Sequence, residues 1–235
     1  MQPIADINAD FTPEVIRVGN EQTPVIIIDD FLSSSTVLEE LAQQISFEPD
    51  KFSLYPGVRA KIPPEYYVPL LQAVYQGIYK VYQVPRTLRL KPMDAYLSLL
   101  STEQENLQLL QRMPHFDTER PFYFAVLIYL NNGVHGDTGL FRHKPSGFER
   151  IHQNRFQTYQ NYRQQHLQQF GEPESQYITA SNDQYELYQR LEYKPNRLVI
   201  YPGNLLHSTI VDIDRDIDAN PQTGRLTCNL FVEFV

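Results

Sequence analysis

From residue 93 onward, five short stretches (93–100, 122–130, 138–142, 197–201 and 225–235) are rich in Val, Ile, Leu, Tyr and Phe and are bounded by Gly, Asn, Pro and Asp. Branched and aromatic side chains fit a pleated surface, and the flanking residues close turns, so these stretches read as strands. Strands this short must pair with one another and bury one face, which restricts the chain to a sandwich or a barrel. Residues 145–195 break the series. Within them, residues 148–170 are rich in Gln and Tyr and read as a helix, and a second, short helix is expected after Ser181. The whole stretch reads as an excursion inserted between two strands.

The first 92 residues have a different character. Residues 24–30 (PVIIIDD) read as a buried strand. Residues 36–45 read as a helix, with Thr36 and Glu39 as a capping box and Leu38, Leu41 and Ile45 at helical spacing. Tyr55, Pro56 and Gly57 form a turn, and residues 65–81 read as a second helix with Leu71, Val74, Ile78 and Val81 on one face. The expectation is a mainly β fold with flanking helices, built as one domain over residues 1–235. In it, residues 1–92 support a core of residues 93–235 that carries the insertion at about 145–195.

Charge narrows the partners. Lys and Arg number 20 against 28 Asp and Glu, a net charge of −8. Nucleic acid and anionic membrane both attract basic surfaces, so neither is an expected partner. The longest apolar run, residues 122–130, is about half the ~20 residues a membrane helix needs. The single cysteine, Cys228, cannot close an internal disulfide, and the N-terminus shows no basic region followed by an apolar stretch. A cytoplasmic location is expected. Nothing in the sequence sets an oligomeric state.

Candidate chemistry begins at His115-Phe116-Asp117. In an extended segment, residues two apart project to the same side, so His115 and Asp117 could grip one metal ion together. Taken alone, a polar pair in a loop explains them equally well. Further on, the apolar residues 198–201 run into Pro202-Gly203-Asn204 and then His207. A second imidazole would complete a two-histidine, one-carboxylate set, which leaves open positions on Fe(II) for oxygen chemistry. The competing reading of His207 is a buried histidine bonded to backbone. In the C-terminal strand, alternation sets Arg225, Thr227 and Asn229 on one face and Leu226, Cys228 and Leu230 on the other. If the first face points inward, the guanidinium requires an anionic partner, and a carboxylate matches its fork. The alternative is an arginine on an edge strand in solvent.

Taken in order, these motifs resemble the 2-oxoglutarate oxygenases. The matching residues are His115-Phe116-Asp117, 126–131 (VLIYLN), 136–141 (GDTGLF), 196–203 (NRLVIYPG) through His207, and 224–227 (GRLT). The pattern is similar to the prolyl-hydroxylase-like branch, and within it to a bacterial group often encoded beside flavin-dependent tryptophan halogenases, a likeness that includes residues 55–59 (YPGVR) and extends back to about Pro24. The resemblance implies a double-stranded β-helix, a cupin-like jelly roll buttressed by the N-terminal helices. It implies Fe(II) on His115, Asp117 and His207, with 2-oxoglutarate and O2 as cosubstrates. Arg225, aided by Thr227 and Tyr129, would hold the distal carboxylate. The implied reaction hydroxylates an amino acid, peptide or protein side chain and releases succinate and CO2. Halogenases of the family have a small residue in place of the acid, so Asp117 implies hydroxylation. Two intervals, from Asp117 to His207 and from His207 to Arg225, are longer than the family pattern.

Other residues are weighed against this reading. Arg59, Arg142 and His143 are candidate substrate contacts, with a surface arginine as the plain alternative for Arg59. His135, His152 and His166 are rival ligands. Residues 212–218 (DIDRDID) lack the Gly and Glu of a calcium loop and read as a solvated hairpin loop. A nucleic-acid demethylase would carry a second arginine where Phe231 stands. The remaining alternatives are a cupin-like metal-binding protein that does not use 2-oxoglutarate and a catalytically inactive binding module on the same scaffold.

Overall fold

A computed structural model describes residues 5–50 and 54–235. Eleven strands and four α-helices follow one another in those residues. The N-terminal part holds β1 (Glu14–Val18), β2 (Thr23–Ile28), α1 (Thr36–Gln44), β3 (Glu48–Pro49), β4 (Gly57–Lys61) and α2 (Pro64–Val81). Next come β5 (Leu90–Leu100), β6 (Tyr123–Tyr129), β7 (Thr138–His143), α3 (Gln153–Phe170) and β8 (Tyr185–Leu191). The chain ends with β9 (Leu198–Pro202), β10 (His207–Thr209), α4 (Ile213–Asp216) and β11 (Thr227–Phe234). The fold is mainly β with flanking helices.

Eight strands form one sheet in the order β1-β2-β9-β6-β11-β5-β4-β3, and three form a second in the order β10-β7-β8. Every pair is antiparallel. Strand alternation decides what each face meets. On one face of the large sheet Ile26, Leu97, Val126, Ile200, Cys228 and Leu230 join Leu38 of α1 and Leu70, Leu71, Val74 and Ile78 of α2 in the main core. On the other face Leu127, Tyr129, Val199 and Tyr201 meet Leu140 of β7 and Leu191 of β8 between the two sheets. Helix α3 covers the far side of the small sheet, where Tyr159 packs with Phe141, Tyr185 and Leu206. Among the described residues, no helix is long and apolar enough to cross a membrane.

Several elements depart from the sequence expectation. Helix α1 is capped at Ser35 without a side-chain hydrogen bond, and the hydroxyl of Ser34 accepts from the Thr36 amide at 3.2 Å. Thr36 therefore sits inside the helix, and the Thr36–Glu39 capping box does not form. Helix α3 begins only at Gln153, because residues just before it pair with strand backbone: His143 donates to the Phe148 carbonyl and Ile151 to that of Asn204. The expected helix after Ser181 is strand β8. There the Asn182 side chain accepts from the amides of Gln184 and Tyr185, turning the chain outward, and pairing with β7 overrides local helix propensity. The stretch 145–195 thus supplies a strand of the small sheet as well as a surface helix.

Candidate metal centre and adjoining cavity

Where β9 gives way to β10, the Leu205 amide closes a turn onto the Pro202 carbonyl at 3.0 Å. The segment before β6 lies antiparallel to this corner. His115 bridges His207, and the Asp117 amide donates to the Gly203 carbonyl at 2.6 Å. Partners opposed across such a pair project their side chains to the same side, as do residues two apart in one strand. His115, Asp117 and His207 therefore converge, each offering a donor atom within 4.8 Å of the others. Gly203 permits the approach. A Cβ there would lie 2.6 Å from the Tyr123 ring and 3.2 Å from Asp117 Oδ2.

The donor set suits a divalent transition metal, with two imidazoles and one carboxylate. His207 Nδ1 donates to the Leu205 carbonyl at 2.8 Å, which orients the ring with Nε2 facing Asp117 Oδ1 at 3.9 Å. Asp117 Oδ2 is buried and has no hydrogen-bond partner among the described residues. Burial raises the Asp117 pKa, against the opposing pull of His207 and Arg59. His115 is exposed at the cavity surface, although protein atoms crowd its ring. Loss of solvation there, with His207 and Arg59 nearby, holds its pKa well below the ordinary histidine value. A bound cation would supply the missing partner for the carboxylate and favour the neutral imidazole.

A cavity of about 780 Å³ adjoins the three residues and lies between the two sheets. Arg225, Thr227 and Thr138 line its inner end. Arg225 is only 2% exposed. Its Nε donates to the Gly136 carbonyl at 2.7 Å, its guanidinium lies over the rings of Tyr129 and Tyr193, and Nη2 has no partner among the described residues. Arg225 also makes no ion pair to a carboxylate among the described residues, so a buried cation faces the cavity with donor capacity to spare. Leu226, Cys228 and Leu230 face the helices, as the alternation requires.

Tyr129 is fully buried beneath Arg225, and its hydroxyl is within 2.8 Å of the Thr138 hydroxyl. It supports the guanidinium and does not line the cavity. Tyr201 does line it, with its ring 4.9 Å from that of His207. The sequence reading passed over Tyr201, although its alternation with Val199 in β9 marks the inward face. Arg59 also lines the cavity; it is held by Asp50 at 3.4 Å and lies against the rings of Tyr55 and Tyr96. Lys61 and Asp94, also missed, flank Tyr96 there.

Arg142 and His143 lie away from the cavity. Arg142 is taken up by Glu149 and Glu186, both at 2.6 Å. His143 is fully buried on the far side of the small sheet, against Tyr159 and Tyr185, and bonds the Ser146 hydroxyl at 2.8 Å. Loss of solvation, with Arg163 and His166 nearby, pushes its pKa down to about 4. The extra residue of the β7–β8 pair is Tyr188 in β8, so β7 alternates without a break and His143 falls on the face of Phe141, away from the cavity. Residues 212–218 are not a solvated loop either: they contain α4, and Asp216 is fully buried.

The profile of a family of unknown function, DUF6445, matches residues 9–232. No curated protein matches the chain. Among solved structures it is similar to the viral collagen prolyl hydroxylase vCPH from Paramecium bursaria Chlorella virus-1 in its 2OG complex, at 10% identity over 90% of this chain and 96% of that one, TM-score 0.46. It is also similar to HygX from Streptomyces hygroscopicus with nickel and 2-oxoglutarate bound, at 13% identity over 92% and 87%, TM-score 0.46. A third is AviO1 from Streptomyces viridochromogenes Tue57, at 10% identity over 97% and 90%, TM-score 0.43.

Proposed function

Because the chain belongs to the DUF6445 family, a family of unknown function, its chemistry must be read from its own site, and we propose that it is an Fe(II)- and 2-oxoglutarate-dependent oxygenase. The observation that carries this reading is that one cavity joins the His115, Asp117 and His207 cluster to a buried arginine that has no anionic partner among the described residues. A metal site alone fits many proteins. A metal site sharing a cavity with a guanidinium fork fits a ligand that chelates a cation at one end and carries a carboxylate at the other.

In this reading His115, Asp117 and His207 hold Fe(II), and Arg225 with Thr227 receives the distal carboxylate of 2-oxoglutarate. Tyr129 acts through the guanidinium it supports. When bound, the iron supplies oxygen activation, coupled to conversion of 2-oxoglutarate into succinate and CO2. The two sheets keep bulk water from the inner end, which strengthens the pairing of Arg225 with a carboxylate. Asp117 fills the position a halide would need, which favours hydroxylation. Arg59, Lys61 and Asp94, which also line the cavity, suit a polar substrate such as an amino acid, a peptide or a protein side chain. The paired sheets are read as a double-stranded β-helix within a single domain.

Anaerobic titration of the Fe(II)-loaded protein with 2-oxoglutarate tests the assignment through the visible charge-transfer band of the chelate. Arg225→Ala should weaken the apparent affinity at least about tenfold, as loss of a charge-assisted fork implies. A wild-type protein that shows no band, with Arg225→Ala behaving identically, would remove 2-oxoglutarate from the scheme. Succinate formation in air then separates an enzyme from an inactive binding module.

A further inference from the structure

Arg225 is held from two directions, and both lead to one buried carboxylate. The Gly136 carbonyl that accepts from Arg225 Nε belongs to a residue whose amide donates to Asp216 Oδ2 at 3.0 Å. The adjoining His135 has its Nδ1 2.9 Å from Asp216 Oδ1. Its ring packs 4.9 Å from Tyr193, which in turn lies beneath the Arg225 guanidinium. The Asp212 amide adds a further donor to Asp216 at 2.7 Å. Asp216 is fully buried and the His135 side chain is 5% exposed, so neither is a surface pair of little consequence.

We propose that Asp216 is a positioning residue for Arg225, acting through the Gly136 peptide and through the His135–Tyr193 stack. It orders the guanidinium that receives a carboxylate at the inner end of the cavity, without touching that carboxylate. The inference rests on Arg225 as the anion-binding group of the proposed function. The long interval between His207 and Arg225 thereby gains a role, since it carries the residue that holds Arg225 in place. The physical basis is pre-organisation. A long side chain that is already fixed loses little freedom on binding, whereas a loosened one must be ordered by its ligand.

The test compares two probes on the Ni(II)-loaded protein by calorimetry: 2-oxoglutarate, and 2-oxobutyrate, which keeps the chelating end and lacks the distal carboxylate. Asp216→Asn should weaken 2-oxoglutarate binding about tenfold, with Ni(II) and 2-oxobutyrate affinities within about twofold of wild type. Should Asp216→Asn fail to fold, His135→Gln carries the same comparison, because it removes the ring from Tyr193 and keeps a donor for Asp216. Unchanged 2-oxoglutarate affinity, or equal loss for both probes, would overturn the inference. Arg225→Ala as a parallel control separates the two levels. If it binds 2-oxoglutarate as well as wild type, the anion-site reading itself has failed. If it loses binding while Asp216→Asn does not, only the positioning role falls.

Discussion

His115 and His207 exchange two backbone hydrogen bonds, the His115 amide donating to the His207 carbonyl at 2.9 Å and the His207 amide to that of His115 at 2.8 Å. The bridge brings their rings to a centroid separation of 4.3 Å, and Asp117 follows two residues on along the same edge. Main-chain pairing, more than any side-chain contact, assembles the candidate metal site.

Asp117→Ala should therefore leave the bridge intact while removing the only carboxylate from the donor set. Fe(II) affinity should fall at least about 100-fold in anaerobic titration. The metal-free variant should melt no lower than the metal-free wild type, because it loses a buried carboxylate oxygen that has no hydrogen-bond partner among the described residues. An unchanged Fe(II) affinity would contradict the ligand assignment.

Gly203→Ala tests the close approach at the corner between β9 and β10. The added methyl would meet both the Tyr123 ring and Asp117 Oδ2, so the turn must shift. A loss of about 1–3 kcal/mol in denaturant unfolding is expected, together with weakened metal binding. Wild-type values for both would show that the corner yields freely.

His143 predicts a pH dependence that does not involve the metal centre. Its pKa is lowered to about 4 in the folded protein, against 6.5 for the free side chain. Between those values the unfolded chain binds the extra proton, so stability falls as pH drops through this window. The cost between pH 7 and pH 5 is about 2 kcal/mol. His143→Gln should remove that part of the slope in urea unfolding at the two pH values. A variant with the full wild-type slope would mean that His143 is not held neutral.

Glu149 fastens the N-terminal hairpin to the turn after β7. Fully buried, it accepts from the amides of Asn20 and Glu21 and from Arg142. Glu149→Gln cannot accept from all four donors and leaves Arg142 with Glu186 alone. The variant should lose about 3 kcal/mol of stability by denaturant unfolding, with metal affinity unchanged. A loss below about 0.5 kcal/mol would place the clasp among pairs of no net worth.

Chain order and side-chain type alone made the main candidates legible. His115-Phe116-Asp117, His207 and Arg225 stand beside strands whose composition announces them, and the alternation in residues 225–230 separates the cavity face from the helix face. Residues whose roles depend on distant partners were misread. Arg142 and His143 end the strand that lines the cavity with Thr138, but alternation puts His143 on the opposite face, where Ser146 bonds it, and Glu149 takes up Arg142. Asp216 looked like one acid among several in a solvated loop, and only its burial against His135 and Gly136 distinguishes it.

Local sequence determined β2, β5, β6, β7, β9 and β11, the helices α1 and α2, and the donor types available to a metal, because period-two patterning, helical spacing and side-chain chemistry are written in neighbouring residues. Tertiary structure decided which donors meet, which arginine is buried with no carboxylate beside it among the described residues, and which tyrosine lines the cavity. Those outcomes come from the register between strands far apart in the chain. A shift of one residue in an antiparallel pair turns every side chain to the opposite face.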